Sequence, residues 1–179
     1  MKEKLRELYS KKEISTDGLL EAGAKKWITT EDAVDIVGEE ESLTIIRAAK
    51  LAEISQACNQ TILDGIDVIL SDGTTEHFSL QETDQINLTT AYNAVQTGAA
   101  GYPYHADGQL CKMYSAEDIT TIGNAATSHK LYHLTYCNHL MTWARGAETA
   151  EELQSIYYGA ELPEALATNM EAVLNASAS

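Results

Sequence analysis

Apolar residues recur at three- and four-residue spacing through most of the chain, and that spacing predicts helices. Leu5 and Leu8 mark a short first helix over residues 3–12. Ser15 or Thr16 caps a second, through Leu19, Leu20 and Ala22. Trp27 and Ile28 precede Thr29-Thr30-Glu31-Asp32, where Thr29 and Asp32 form a capping-box variant. It opens a third helix that Gly38 ends. Glu39-Glu40-Glu41 put negative charge at the positive end of a fourth helix. Leu51, Ile54, Cys58 and Ile62 give it one buried stripe, and Gly65 stops it after Asp64.

The period then switches from helix to strand. Ile66 to Leu70, a Ser71-Asp72-Gly73 turn, and Thr74 to Phe78 predict a β-hairpin. The stretch from His77 to Leu88 reads as a strand end followed by a helix start. Ser79 and Glu82 make an S-x-x-E capping box with Phe78 as its staple. In the helix over 80–97, Leu80, Leu88, Ala91 and Val95 share a stripe that includes Asp84. Gly98 to Gly101 break it, and a second hairpin follows around Asp107-Gly108. Ser115 and Asp118 cap the longest helix, about 116–145. Its inner stripe is Ile119, Ile122, Ala126, His129, His133, Tyr136, Leu140 and Ala144. A box at Thr149–Glu152 opens a short helix toward a stop at Gly159. Pro163 starts a last helix to about Asn175, with fraying over Ala176–Ser179.

The expected fold is α+β and helix-dominated: several helices, one or two short hairpins, and a small N-terminal helical appendage. The boundaries are 1–38 for the appendage and 39–179 for the body. The three N-terminal helices are too short to be stable alone in water. They must bury Leu5, Tyr9, Leu20, Trp27 and Ile36 on each other or on a partner.

Composition narrows the function. With 179 residues, 44% of them hydrophobic, the chain can fill a core. The net charge of −15 is uneven: residues 1–50 hold nine of the twelve Lys and Arg, and the rest is strongly acidic. An acidic body repels phosphate backbones, which argues against nucleic acid as partner. Cys58, Cys111 and Cys137 are odd in number and widely spaced, as reduced, mostly buried thiols are. The N-terminus has no apolar signal-peptide core, and no apolar run reaches membrane-spanning length. The Asn-x-Ser/Thr triplets at Asn59, Asn87 and Asn175 are therefore read as accidental.

Candidate chemistry is sparse. His129, His133 and Cys137 share one helix face at i, i+4 and i+8, and two such histidines can bind zinc. No H-E-x-x-H motif accompanies them, and amphipathic periodicity already explains the spacing. Asp84, Gln85 and Asn87 near His77 have the residue types of an acid–base group. A carboxylate in an apolar stripe must, however, be hydrogen-bonded, so His77, Ser79, Glu82, Asp84, Gln85 and Asn87 are read as structural anchors. Nothing in sequence activates Cys58 or Cys111, which read as inert buried thiols. Tyr102-Pro103-Tyr104-His105 is either an aromatic carbohydrate-binding patch or a loop packed on the core. Gly98-Ala99-Ala100-Gly101 lacks the Lys of a phosphate loop. No catalytic residue, cofactor or metal site is assigned.

Two resemblances add a context. Leu8-Tyr9, Ile14-Ser15, Gly18-Leu19-Leu20, Lys26-Trp27-Ile28-Thr29 and Ile36-Val37-Gly38 resemble the XkdX-type proteins of phage and prophage tail modules, over about 5–38. Residues 49–158 resemble a phage domain of unknown function associated with tail fibres. Ile54, Cys58, Ile62, Gly65, His77-Phe78-Ser79, Asp84-Gln85-Ile86-Asn87-Leu88, His129 and the box near Glu152 carry that likeness. They imply a non-catalytic structural or assembly component of a tail, in the virion or in the host cytoplasm during assembly. Its partners would be other baseplate or fibre proteins, met through Tyr9, Leu20, Trp27 and Ile28, with room for a homo-oligomer and no membrane. The competing reading is a small metal-binding protein or metal-dependent enzyme using His129 and His133.

Overall fold

Among the described residues, eight helices and two antiparallel hairpins succeed one another in nearly the expected order, and 66% of the chain is helical. The computed structural model describes residues 1–177, without the side chains of Glu39 and Glu40. The helices are α1 (Lys2–Ser10), α2 (Thr16–Ala24), α3 (Thr30–Val37), α4 (Glu39–Asp64), α5 (Glu82–Gln96), α6 (Ala116–Gly146), α7 (Ala150–Ser155) and α8 (Glu164–Ser177). The strands are β1 (Ile66–Ile69), β2 (Thr75–Phe78), β3 (Gly101–Tyr104) and β4 (Lys112–Ser115). The fold is α+β, as expected. α7 ends four residues short of Gly159. The fraying expected at Ala178 and Ser179 lies outside the described residues, while Ala176 and Ser177 are helical.

The chain divides into two compact units. The first contains Met1–Gln56 and Cys137–Leu166; the second contains Ala57–Tyr136 and the residues from Ala167 on. The boundary expected after residue 38 falls inside the first unit, because the N-terminal helices share a core with the start of α4. That core is Leu5, Leu19, Ala22, Ile28, Ala33, Ile36 and Ile45. Glu41 on α4 accepts the Tyr9 hydroxyl at 2.8 Å and the Thr16 hydroxyl. Thr29 and Asp32 form the reciprocal box, each side chain taking the other's amide.

α1 and α2 end in the same way, one the sequence reading did not anticipate. Lys12 and Lys26 both adopt φ +57°, the left-handed conformation that glycine usually supplies after a helix. The amides of Glu13 and Trp27 then reach back to the carbonyls of Leu8 and Ala22, each at 2.9 Å, closing a Schellman turn.

In the second unit, β1 pairs with β2 (Ile66 opposite Phe78) and β3 with β4 (Gly101 opposite Ser115). Alternation puts Ile66, Val68, Phe78, Tyr104 and Tyr114 into the core beside Leu88, Ala91, Ile119 and Ile122. The Phe78 ring stacks on Tyr104 at 6.2 Å and meets Tyr114 edge-on at 5.9 Å. Full burial of a side chain like Phe78 contributes about 1.5–3 kcal/mol.

Gly65 sets the geometry between α4 and the first hairpin. Its φ is +91°, and a Cβ built there would sit 2.0 Å from the Phe78 carbonyl oxygen and 2.6 Å from the Ser79 Cα. Both obstacles are backbone and cannot swing aside. Gly65→Ala is therefore expected to lower stability by roughly 2–5 kcal/mol, the sum of backbone strain and overpacking. Urea unfolding checks it; a loss under about 1 kcal/mol would mean that the two backbones do not touch.

Candidate functional site

The residues singled out around His77 are brought together, and their first task is to finish a helix. The last carbonyls of α4 have no partner inside the helix. Leu63 O accepts the Leu80 amide at 3.1 Å and the Gln81 side-chain amide at 3.2 Å. Asp64 O faces His77 Nε2 at 2.8 Å. The other ring nitrogen, Nδ1, lies 2.8 Å from Asp67 Oδ1. A carbonyl and a carboxylate only accept, so both ring nitrogens must donate and the ring is an imidazolium. The Asp67 bond raises the His77 pKa above its usual value, helped by the Asp64 carbonyl and the charges of Asp67 and Asp107, against desolvation. A cation at the negative end of α4 is also favoured by the helix dipole.

Asp107, from the loop between β3 and β4, ties the two hairpins together. Its amide donates to His77 O at 2.9 Å, and its Oδ1 accepts the Ser79 amide at 3.1 Å. The Ser79 hydroxyl donates to Asp84 Oδ2 at 2.7 Å. The expected Ser79–Glu82 capping box is thus absent. α5 starts at Glu82 with Gln81 as N-cap and no side-chain capping bond. Ser79 gives its amide to Asp107 and its hydroxyl to Asp84, and Glu82 is exposed. Gln85 donates to Leu80 O at 2.8 Å and accepts from Lys130 at 2.6 Å. Asn87 is exposed and its side chain makes no hydrogen bond among the described residues, which corrects its reading as an anchor. With both nitrogens of His77 donating, that ring offers no lone pair, and the cluster's bonds run to backbone and among its own side chains.

The other candidates resolve similarly. Glu76, beside His77, accepts Lys112 and the Tyr114 hydroxyl, both at 2.5 Å. Burial and Glu76 push the Tyr114 pKa upward; burial, Asp84 and Asp107 push that of Tyr104 to about 12, so both stay neutral phenols. The Tyr102–His105 string is no open aromatic patch, since Tyr104 is buried. His129 and His133 lie ring to ring at 4.4 Å, edge to face. His129 Nε2 faces Thr61 O at 3.1 Å and must donate there. Burial, then the neighbouring His129, lowers the pKa of His133. No group of three His, Cys, Asp or Glu among the described residues could hold a metal. Cys58 and Cys137 are buried, but Cys111 is exposed, which corrects its assignment to the core. His139 on α6 is buried, a polar core residue that the stripe did not include. A cleft of about 180 Å³ between α5 and α6, lined by Leu88, Tyr92, Gly123 and Lys130, is below the range of small-molecule sites.

The first unit offers a larger concavity. A groove of about 860 Å³ runs between α2, the α2–α3 turn and the first half of α4, with Gly23, Ala24, Trp27, Ala48, Ala49 and Ala52 along it. Of the four proposed contact residues, Ile28 is core at 6% exposure, and Leu20, Trp27 and Ile28 line the groove. Tyr9 and Leu20 are partly buried. Trp27 is 54% exposed, with the Lys25 ammonium 5.2 Å from its ring.

Two measurements check the His77 cluster. Because folding raises the His77 pKa, its contribution to stability is complete below about 6.5, the ordinary histidine value, and is lost as pH rises through the raised one. The stability difference between wild type and His77→Gln should therefore shrink on going from about pH 6 to about pH 9. An equal difference at both pH values would mean that His77 is uncharged. Asp84→Ala and Ser79→Ala should each lower stability by about 1–2 kcal/mol, and the double variant by little more than either, since they share one bond. Additive losses in denaturant unfolding would contradict that pairing.

No curated protein and no solved structure matches the chain. Residues 45–157 match the family described as "Domain of unknown function (DUF4376)", from the second turn of α4 past the end of α7. That span takes in the Gly65 crossing, the His77 clamp and both hairpins, and covers well over half of the sequence, so the chain belongs to the DUF4376 family.

Proposed function

We propose that this protein is a non-catalytic structural or assembly component of a phage or prophage tail, an adaptor in the baseplate or fibre region. The tail context rests on the ordered string from Leu8 to Gly38, with its resemblance to XkdX-type tail-module proteins, and on the fibre-associated likeness of 49–158. The adaptor role rests on a single observation: Trp27 stands 54% exposed while Leu5, Leu19, Ile28 and Ile36 of the same segment are buried. An aromatic ring beside a groove offers the large amphipathic surface that anchors many protein contacts. The polar cluster at His77 supports the same reading, because its hydrogen bonds serve to join backbone segments. The partners are other tail proteins, and the protein works in the particle or in the bacterial cytoplasm during assembly. Among the described residues, no helix is long and apolar enough to cross a membrane.

Deletion of the coding sequence from the producing phage or prophage tests this. Tails should be missing or defective, and the tagged chain should co-purify with a baseplate or fibre protein identified by quantitative mass spectrometry. Normal tails without the chain, together with no tail protein on the tagged chain, would refute the proposal.

A further inference from the structure

His77 sits where three other segments of the second unit meet, and its charge has no substitute there. Asp64 O at the end of α4 faces Nε2, and Asp67 Oδ1 of β1 faces Nδ1, each at 2.8 Å. Asp107 Oδ2, from the loop between β3 and β4, lies 3.9 Å from Nε2. The Asp64 carboxylate is taken by the Gln60 amide at 2.6 Å, and Glu76, next to His77 in β2, by Lys112 and Tyr114. Of the loop's other titratable groups, His105 has Nδ1 3.3 Å from Ala106 O and its ring stacked on Tyr104, and Cys111 is exposed at the far end. The second unit has no arginine, and its lysines are engaged elsewhere, Lys112 with Glu76 and Lys130 with Gln85. No permanent cation therefore stands in for the imidazolium between Asp67 and Asp107.

The tip of that loop is held lightly. Tyr104 and Ala106 are buried, but Asp107 to Cys111 are exposed. Among the described residues, Asp107 alone ties the tip to the first hairpin by hydrogen bonds. Its amide donates to His77 O at 2.9 Å, and its Oδ1 accepts the Ser79 amide at 3.1 Å. Both bonds lie beside the ring that Oδ2 faces. A neutral imidazole keeps one N–H. The nitrogen that has lost its proton then turns a lone pair toward Asp64 O or Asp67 Oδ1, so the ring must shift. Asp67 and Asp107 are left as like charges with no cation between them.

We infer that His77 is a pH-dependent latch: as the imidazolium it keeps the loop tip from Asp107 to Cys111 on the first hairpin, and on losing its proton it lets the tip open while the core stays folded. The carboxylates and the Asp64 carbonyl that hold the ring also raise its pKa. Attachment is therefore complete below about 6.5, the ordinary histidine value, and fades as pH rises through the raised one.

Amide hydrogen exchange, measured by NMR on the full chain, tests this. Protection of the Ser79 and Asp107 amides, corrected for the intrinsic pH dependence of exchange, should fall about two- to fivefold between about pH 6 and about pH 9, the scale of an exposed ion pair. Ile122, buried in α6, reports global opening and should lose less. The fall should follow the titration of the His77 ring protons in the same sample. Asp67→Asn removes one carboxylate and should move that titration and the fall together to lower pH. His77→Gln carries no charge at either pH and should show no excess fall. An excess fall that persists in His77→Gln overturns the inference, as does a His77 titration that leaves both amides unchanged. An equal fall at Ile122 overturns it too, since the opening is then global, and so does a midpoint that Asp67→Asn leaves in place.

Discussion

The second unit depends on one close passage of backbone. α4 can run its full length to Asp64 and still leave its last carbonyls reachable only if the next residue turns left-handed and takes no space, and Gly65 does both. The helix end then lies against the Phe78–Ser79 peptide, near enough for Leu80, Gln81 and His77 to supply the donors α4 lacks. With β2 held there, its alternation sends Phe78 inward to Tyr104 and Tyr114 and leaves His77 outward between Asp64 and Asp67. Packing, capping and the charge on His77 thus follow from a single glycine.

Local patterns in the sequence found the elements, and failed where a distant residue competes for the same atom. The Thr29 box forms because nothing else reaches its amides. The Ser79 box has the same spelling and does not form, because Asp107, 28 residues onward, takes the Ser79 amide. No reading of residues 79–82 alone could weigh that bond. Phe78, Leu80, Leu88, Ala91 and Val95 were legible as core because burial obeys the period. The ends of α1 and α2 were not, since the customary signal is a glycine and the chain uses Lys12 and Lys26 instead. Cys111 was misjudged because its short strand-like setting says nothing about which side of a two-stranded ribbon is covered.

The candidate site was legible in membership more than in meaning. His77, Ser79, Asp84 and Gln85 do meet, yet the bonds they make are to backbone and to each other. A base needs an available lone pair, and His77 has none while both nitrogens donate. His129 likewise commits one nitrogen to Thr61 O. Polar residues in an apolar pattern need partners, and here that need is met inside the fold.

Trp27 is where the two kinds of burial part company. In sequence an aromatic residue between two helices fits the core as well as an interface, because the same apolar area drives both. The local geometry separates them. The Schellman turn that ends α2 uses the Trp27 amide to cap Ala22, and the next residue, Ile28, goes into the core. One position earlier in the chain, the ring is therefore held by its own backbone but left over the groove. A core aromatic would be fixed by contacts to its ring; Trp27 is fixed by its main chain, which leaves its ring available to something else.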